Sequence, residues 1–200
     1  MARGQPPFIG LTGGIGAGKS EALRALERLG AATLSADAVV HELLESGGLR
    51  DELVARFGER VAPDGGIDRN ALASVVFEDP DERDWLEGLL WPRVGERVAA
   101  WRREVARRVP PARAAVVEVP LLFEAGMEGV FDHTVAIVAD ERVRAERAAA
   151  RGHAGLDSRA SRQLPQQEKA ERAKYVVEND GDLVKLERKL SVLLENIGRA

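Results

Sequence analysis

The segment Gly13–Ser20 has the residue types and spacing of a phosphate-binding loop. It reads Gly-Gly-Ile-Gly-Ala-Gly-Lys-Ser and fits the pattern Gly-x-x-x-x-Gly-Lys-Ser/Thr. Glycines let successive backbone N–H groups turn towards phosphate oxygens, where side chains would intrude. Lys19 offers a positive charge to the β- and γ-phosphates, and the Ser20 hydroxyl offers an oxygen ligand to Mg²⁺. The loop therefore predicts binding of a nucleoside triphosphate with magnesium.

This interpretation requires a strand before the loop and a helix after it. Phe8–Thr12 is a short apolar run that ends at glycines, which predicts a buried strand. Lys19–Leu29 carries leucines at helical spacing and is followed by Gly30, which predicts a helix. Glu21 lies at the start of that helix, where the helix dipole favours a carboxylate. The context supports the phosphate loop over a glycine-rich turn that matches by chance.

Two acidic residues could serve phosphoryl transfer. Asp37 follows a second predicted strand, Ala32–Ala36, and a carboxylate there could accept the proton of an attacking hydroxyl. The same residue could instead cap a helix that begins near Ala38. Glu118, inside the third predicted strand, could orient a metal, face solvent or pair with an arginine. The residues alone leave these alternatives open.

Apolar strands that alternate with helices predict an α/β fold, in which a parallel sheet is covered by helices on both faces. The three remaining predicted strands are Ala114–Leu122, Thr134–Ala139 and Tyr175–Val177. Between the second and third strands, residues 38–108 are predicted to be almost wholly helical. Asp79 and Pro80 are helix-start signals within that stretch, and Pro92 is predicted to begin or kink a further helix.

The segment 141–174 differs in charge from the rest of the chain. It holds nine Arg and Lys against five Asp and Glu, a local net charge of +4 in a chain whose net charge is −4. Its arginines include Arg142, Arg144, Arg147, Arg151, Arg159 and Arg162. A solvated helix face is one interpretation, and a mobile flap that contains Gly152 and Gly155 is the other.

Composition excludes several classes of function. The 200 residues include no cysteine, so disulfides, thiol catalysis and zinc–thiolate sites are ruled out. The net charge of −4 gives no basic bias towards nucleic acid or anionic membranes. No apolar run has the length of a membrane span, and the N-terminus lacks the pattern of a signal peptide, so we expect a cytoplasmic protein. Asn occurs only at 70, 179 and 196, and none begins the Asn-Lys-x-Asp motif of GTP switches.

Taken together, the motifs resemble the dephospho-coenzyme A kinase family, and the resemblance covers nearly the whole chain. It rests on Ile9–Ser20, Ser35–Leu43, Pro120–Glu124 (Pro-Leu-Leu-Phe-Glu), Arg159–Gln163 with Lys169, and Val177–Gly181. The resemblance implies ATP-dependent phosphorylation of the ribose 3′-hydroxyl of dephospho-CoA, which gives CoA and ADP in the last step of coenzyme A synthesis. It also implies a P-loop NTPase core with a five-stranded parallel sheet (1–37, 109–140 and 175–200), a helical substrate-binding insertion (38–108) and a lid (141–174).

The resemblance further implies roles for individual residues. Asp37 would be the base for the ribose hydroxyl. The ATP phosphates would be held by Gly14, Ile15, Gly16, Ala17, Gly18, Lys19, Ser20 and Glu21, with Mg²⁺ on Ser20. Arg147 and Arg151 would neutralise charge on the transferred group, and the turn from Asn179 to Gly181 would lie against the adenine. The substrate site would be shaped by Pro120, Leu121, Leu122 and Glu124. Three positions depart from the family pattern: Ser35, Trp91 and Lys174 stand where Asp, His and Asp are usual.

Two other functions remain as alternatives. A P-loop kinase for another small acceptor, such as a nucleoside monophosphate, would share the loop. A non-catalytic nucleotide-binding regulator would share it too, although the intact Lys19, Ser20 and Asp37 favour catalysis. The sequence leaves the oligomeric state open, a monomer included.

Overall fold

Five parallel strands form one sheet in the computed structural model, which describes residues 5–150 and 162–199. The strands are β1 (Phe8–Gly13), β2 (Ala32–Ser35), β3 (Ala115–Glu118), β4 (His133–Val138) and β5 (Tyr175–Glu178). They lie in the order β2-β3-β1-β4-β5, and each neighbouring pair is parallel. The predicted α/β fold with a five-stranded parallel sheet is confirmed.

Eight α-helices are assigned within the described residues. They are α1 (Lys19–Arg28), α2 (Ala36–Glu45), α3 (Arg50–Phe57), α4 (Arg69–Glu78), α5 (Pro80–Ala106), α6 (Glu141–Ala150), α7 (Gln166–Arg172) and α8 (Leu183–Ile197). Short 3₁₀ turns lie at Glu59–Val61 and Glu128–Val130. No helix of this part of the chain is long and apolar enough to cross a bilayer.

The central strand β1 is buried along its whole length, which fixes the start of the phosphate loop. On one face of the sheet, Leu11 and Ile137 belong to a core with Leu26 of α1 and Leu190 of α8. On the other face, a Cβ at Gly10 would lie 2.6 Å from Leu122 and 2.7 Å from Phe131, so the chain after β3 packs directly on the strand. Burial on both faces explains the continuous apolar composition of β1.

The third strand is shorter than predicted. The apolar run suggested a strand over Ala114–Leu122, but β3 ends at Glu118 and is followed by turns. Pro120 has no N–H to donate to a strand ladder, and Leu122 is buried in the core from a turn rather than from a strand. The hydrophobic pattern predicted burial here, but not the conformation in which the side chains are buried.

Of two predictions made for helix boundaries within residues 38–108, one is wrong and one is confirmed. Pro92 lies inside α5, so it does not begin a new helix. The predicted start at Asp79 and Pro80 is confirmed, because the Asp79 side chain accepts from the N–H of Asp81 at 2.9 Å and α5 begins at Pro80. A proline in a helix interior removes one N–H donor, and the helix continues on both sides of it.

The chain divides into two compact units. One is Ala36–Ala100, and the other runs up to Ser35 and resumes at Trp101. The first has its own core, in which Leu53, Phe57 and Leu90 are buried and Trp85 packs edge-on against Phe57 with the ring centres 5.5 Å apart. The second contains the sheet, the phosphate loop and the described part of the predicted lid. The division into core, substrate-binding insertion and lid stays a prediction.

Candidate functional site

The phosphate loop connects β1 to α1, and its conformation requires glycine at positions 16 and 18. Gly16 has φ 76° and Gly18 has φ 91°, both in the left-handed region that side chains rarely adopt. A Cβ at Gly16 would lie 2.5 Å from the backbone oxygen of Arg144, and a Cβ at Gly18 would collide with the side-chain amide of Asn179. The loop is therefore in close contact with α6 and with the end of β5.

Lys19 is the first residue of α1, and its side chain folds back over the loop. Its Nζ donates to the backbone oxygen of Gly13 at 3.0 Å and to that of Gly14 at 3.1 Å. The ammonium group is thus held beside the loop, at the N-terminus of a helix whose dipole adds positive potential. This arrangement can bind the phosphates of a nucleotide.

Helix α6 brings a second cation to the loop. The Nε of Arg144 donates to the backbone oxygen of Ile15 at 2.9 Å, and its NH1 donates to Glu141 at 2.7 Å. The guanidinium lies 3.2 Å from the position that a Cβ on Gly14 would occupy. Asp140 fixes the start of α6 by accepting from the N–H of Arg142 at 2.9 Å. Arg144 was predicted only as a member of the basic cluster in 141–174, with no role of its own.

Asn179, at the end of β5, holds the other half of the loop. This buried side chain donates through Nδ2 to the backbone oxygen of Ala17 at 2.8 Å, and its own N–H donates to Val138 at 2.7 Å. Arg147 donates to the backbone oxygen of Asn179 at 2.9 Å. The predicted residues Arg147, Asn179 and Gly18 are therefore brought together, with the Asn179 amide on the loop backbone.

A buried lysine holds both ends of the segment Pro120–Glu124. Lys169 of α7 is 0% exposed, and its Nζ donates to the Pro120 oxygen at 2.6 Å and to Glu124 at 2.8 Å. Burial lowers the pKa of Lys169, and the hydrogen bond and charge of Glu124 act in the opposite direction. Glu124 also accepts from the N–H of Leu164 at 2.8 Å. Glu124 therefore links the chain after β3 to the chain before α7.

Lys169→Met is expected to lower the free energy of unfolding by about 2–3 kcal/mol, because the largely buried Glu124 carboxylate then loses its counter-ion. Urea denaturation measures the change. Adding Glu124→Gln to that variant removes the stranded charge, so the double variant should be more stable than the sum of the single effects predicts. The matched control, Lys185→Met on the exposed side of α8, should stay within about 0.5 kcal/mol of wild type. Additive single effects would contradict the coupling.

A cavity of about 580 Å³ adjoins the first half of the loop. Its walls are Gly14 and Ile15 of the loop, Arg144 of α6, and the chain from Gln163 to Gln167. Gln166 fixes the last of these walls, since its side-chain amide accepts from the N–H of Ala139 at 3.0 Å and donates to its oxygen at 2.9 Å. The cavity is large enough for part of a nucleotide or an acceptor.

The remaining predicted site residues are placed as follows. Ser20 is exposed in the first turn of α1, and Glu21 pairs with Arg24. Leu122 is fully buried, so it can support the segment around it but has no surface for a ligand. Arg151 lies outside the described residues. The Cα of Gly181 lies against Lys185, since a Cβ there would be 2.9 Å from that side chain.

Of the two candidate acids, one lies at the end of a strand and the other just beyond the end of the neighbouring strand. Glu118 is the last residue of β3 and is half-buried. Asp37 is the second residue of α2, which begins at Ala36 rather than near Ala38. Asp37 therefore lies inside the first helical turn and not at the capping position that one alternative gave it. In the described part of the chain, no three His, Asp or Glu side chains gather into a metal-binding group.

Sequence reasoning missed the contacts of Arg144, Lys169 and Gln166. The available signals were an Arg in the first turn of a helix that follows a central strand, and a Lys in a short helix whose other residues are almost all polar. Neither signal is specific, because both residue types usually lie on solvated surfaces. Each of the three side chains also donates to a backbone oxygen far away in the sequence, which no local pattern encodes.

Comparison with known proteins yields consistent matches. The model of the dephospho-CoA kinase family matches residues 7–185. A relative named dephospho-CoA kinase from Moorella thermoacetica is 43% identical over 88% of this chain and 85% of its own length. A crystal structure from Thermus thermophilus superposes with a TM-score of 0.79 at 35% identity, and covers 97% of this chain and 99% of its own. A dephospho-CoA kinase from Campylobacter jejuni, 21% identical over 96% of each chain, has the same fold with a TM-score of 0.69.

Proposed function

The chain belongs to the dephospho-CoA kinase family, and on that premise we propose how its residues transfer the γ-phosphoryl group of ATP to the ribose 3′-hydroxyl of dephospho-CoA. The bond between the γ-phosphorus and the β,γ-bridging oxygen breaks as the 3′-oxygen attacks, and the products are CoA and ADP. The observation that carries the assignment is the phosphate loop with the Lys19 ammonium held over it, in a chain that matches the family over most of its length.

The loop binds the phosphates through backbone amides and one cation. The N–H groups of Gly14–Gly18 and the start of α1 supply partial positive charge, and Lys19 supplies a full charge near the β- and γ-phosphates. The contacts of Lys19 with the Gly13 and Gly14 oxygens support this role, since they hold the ammonium at the loop. Glu21 lies in the first turn of α1, two residues after Lys19, and is the last residue of the loop region that we assign to ATP binding.

Ser20 is the residue we assign to magnesium. Its hydroxyl is a hard oxygen ligand, it is exposed, and it follows Lys19 directly at the start of α1, so the residue fits the ion. When bound, Mg²⁺ would neutralise phosphate charge during transfer. Glu118, at the end of the neighbouring β3, is a candidate to hold a water ligand of the ion.

Asp37 is the proposed base. Strands β1 and β2 are parallel members of the same sheet, so their carboxyl ends lie at one edge, and Asp37 follows β2 by two residues. Its carboxylate accepts the proton of the 3′-hydroxyl as the oxygen attacks the γ-phosphorus, which raises the nucleophilicity of that oxygen. Phosphoryl transfer otherwise depends mainly on positioning and electrostatic stabilisation.

Arg147 is proposed to stabilise the charge that develops on the transferred group. Its guanidinium lies beside Gly18 and Asn179, which supports a location at the phosphates. Arg151, four residues further along the sequence, is proposed to assist it. Exclusion of water by the lid would prevent water from replacing the acceptor as the nucleophile.

The acceptor is proposed to lie on Pro120, Leu121 and Glu124, with Leu122 beneath them. The ion pair of Glu124 with Lys169 supports this role, because it fixes the segment in place. Asn179 and Gly181 are proposed to lie near the adenine. The Asn179 side chain is bound to the loop, and its backbone N–H and C=O are bound to Val138 and Arg147, so the residue would hold this end of the loop beside the base.

A mass-resolved assay of the purified chain with ATP and Mg²⁺ tests the function. Dephospho-CoA is supplied in one reaction, AMP or CMP in others, and no acceptor in the last. We expect a gain of one phosphoryl group on dephospho-CoA alone. Phosphorylation of AMP or CMP instead would show that dephospho-CoA is not the acceptor, while the assignment of the phosphate loop would stand. If no acceptor led to ATP consumption, the chain would be a nucleotide-binding regulator. A cytoplasmic location stays a prediction.

A further inference from the structure

Arg144 contacts the loop at the backbone oxygen of Ile15. In a peptide group, the C=O lies on the side opposite to the N–H. The Ile15–Gly16 peptide is trans, so its C=O and its N–H point in opposite directions. When the Nε of Arg144 fixes the Ile15 oxygen at 2.9 Å, it also fixes the direction of the Gly16 N–H. The same reasoning applies to Asn179, which holds the Ala17 oxygen at 2.8 Å and thereby directs the N–H of Gly18.

The two contacts act on alternate peptide groups of one loop. Gly16 and Gly18 have left-handed φ values, and glycine is the residue with the most conformational freedom to lose. A loop of this composition would sample several peptide orientations if it were held only at its two ends. External donors to the Ile15 and Ala17 oxygens remove that freedom before a phosphate arrives, and they also polarise each peptide so that its N–H becomes a stronger donor.

The guanidinium of Arg144 is itself held in place. Its NH1 donates to Glu141 at 2.7 Å, one turn earlier on α6, and the group packs against Gly14. The backbone of α6 approaches Gly16 so closely that no side chain fits between them. The guanidinium reaches the Ile15 oxygen and Glu141 through two different nitrogens in one plane, and a lysine has a single nitrogen that cannot occupy both donor positions.

We propose that Arg144 is a positioning residue of the nucleotide site, which orients the Gly16 N–H towards the phosphates by holding the Ile15 carbonyl from outside the loop. It acts through the loop and not on the reacting atoms. The proposal rests on the proposed function only for the identity of the nucleotide. It also makes α6, the first helix of the predicted lid, part of the phosphate site.

Calorimetric titration of the full chain with a non-hydrolysable ATP analogue tests the proposal. Arg144→Met is expected to raise the Kd about tenfold, the scale of a lost hydrogen bond to a charged group. The KM for dephospho-CoA should stay within about twofold, since the acceptor does not depend on the Gly16 N–H. The matched control is Arg142→Met, which removes the same charge from the same helix at a side chain that is 87% exposed and pairs with Glu146. It should bind the analogue as wild type does.

Two further variants separate positioning from charge. Arg144→Lys keeps the charge but loses the planar donors, so its Kd should stay within about threefold of that of Arg144→Met. Glu141→Gln leaves Arg144 in place and should raise the Kd two- to threefold, about the scale of one weakened hydrogen bond, which tests the proposal even if Arg144→Met does not fold. Wild-type affinity in Arg144→Lys, or equal affinities in Arg144→Met and Arg142→Met, would overturn it.

The same samples distinguish this inference from the proposed function. If wild type does not phosphorylate dephospho-CoA while Arg144→Met still weakens binding of the analogue, the function fails and the positioning role stands. If wild type is active and Arg144→Met and Arg142→Met bind the analogue equally, only the positioning role fails.

Discussion

Asp37→Asn is expected to bind ATP as tightly as wild type and to lose turnover by about 10²- to 10⁴-fold, the range that a positioned general base contributes. Asparagine keeps the size of the side chain and its hydrogen-bonding oxygen, but it cannot take up the proton of the 3′-hydroxyl. The attacking oxygen would then remain a neutral hydroxyl with no acceptor for its proton. Steady-state kinetics with dephospho-CoA give kcat, and titration with an ATP analogue gives the affinity.

A structural role for Asp37 makes a different prediction. The carboxylate lies in the first turn of α2, where its charge favours the helix by about 0.3–1 kcal/mol. If that were its whole contribution, Asp37→Asn would unfold slightly more easily and turn over normally. Asp51→Asn, in the first turn of α3 with a side chain that is 99% exposed, is the matched control for this dipole effect. A kcat within about threefold of wild type in Asp37→Asn would remove Asp37 as the base.

The parts of the fold that could be predicted are those set by local pattern. β1, the loop and α1 form a continuous unit in which an apolar run, glycines and helical spacing agree, and α1 begins at the predicted Lys19. β5 was predicted over Tyr175–Val177 and runs one residue further. Differences of this size are expected, because hydrogen bonding to a neighbouring strand sets where a strand ends and the sequence does not show it.

The larger errors arise where a residue is buried without having the strand or helix conformation that its hydrophobicity predicted. Val119 and Leu122 are as buried as strand residues, so their hydrophobicity extended the predicted third strand, although the chain turns at Pro120. The start of α2 was placed near Ala38 because Asp37 was considered as a cap, whereas the helix begins directly at the end of β2. In both cases tertiary packing decided between two locally acceptable conformations.

The phosphate-binding motif of the site could be predicted from the sequence, but the side chains that hold the loop in place could not. The eight residues of the loop identify phosphate binding by themselves, since the chemistry lies in consecutive residues. The contacts of Arg144 with Ile15 and of Asn179 with Ala17 join residues 129 and 162 positions apart. They exist because β4 pairs with β1 and β5 pairs with β4, which brings the chain after each strand to the edge where the loop lies.

Lys19→Ala is expected to weaken binding of an ATP analogue by at least tenfold and to lower kcat by about 10²- to 10³-fold, the cost of removing one preorganised group from a charge-stabilising site. The ammonium contacts the Gly13 and Gly14 oxygens at 3.0 and 3.1 Å, so its charge lies directly at the phosphate loop. Its charge matters most when the γ-phosphoryl group is in transit, which is why the rate should fall further than the affinity.

Control variants distinguish a specific role of Lys19 from a general effect of charge on affinity and rate. Lys189→Ala removes the same charge from the surface of α8, where the side chain pairs with Glu178, and should leave affinity and rate within about twofold of wild type. Lys19→Arg keeps the charge on a larger, planar group, so it should recover affinity more than rate, because the transition state demands the tighter geometry. Normal turnover in Lys19→Ala would show that this loop does not carry the transferred phosphates. Equal losses in Lys19→Ala and Lys189→Ala would assign the effect to net charge instead.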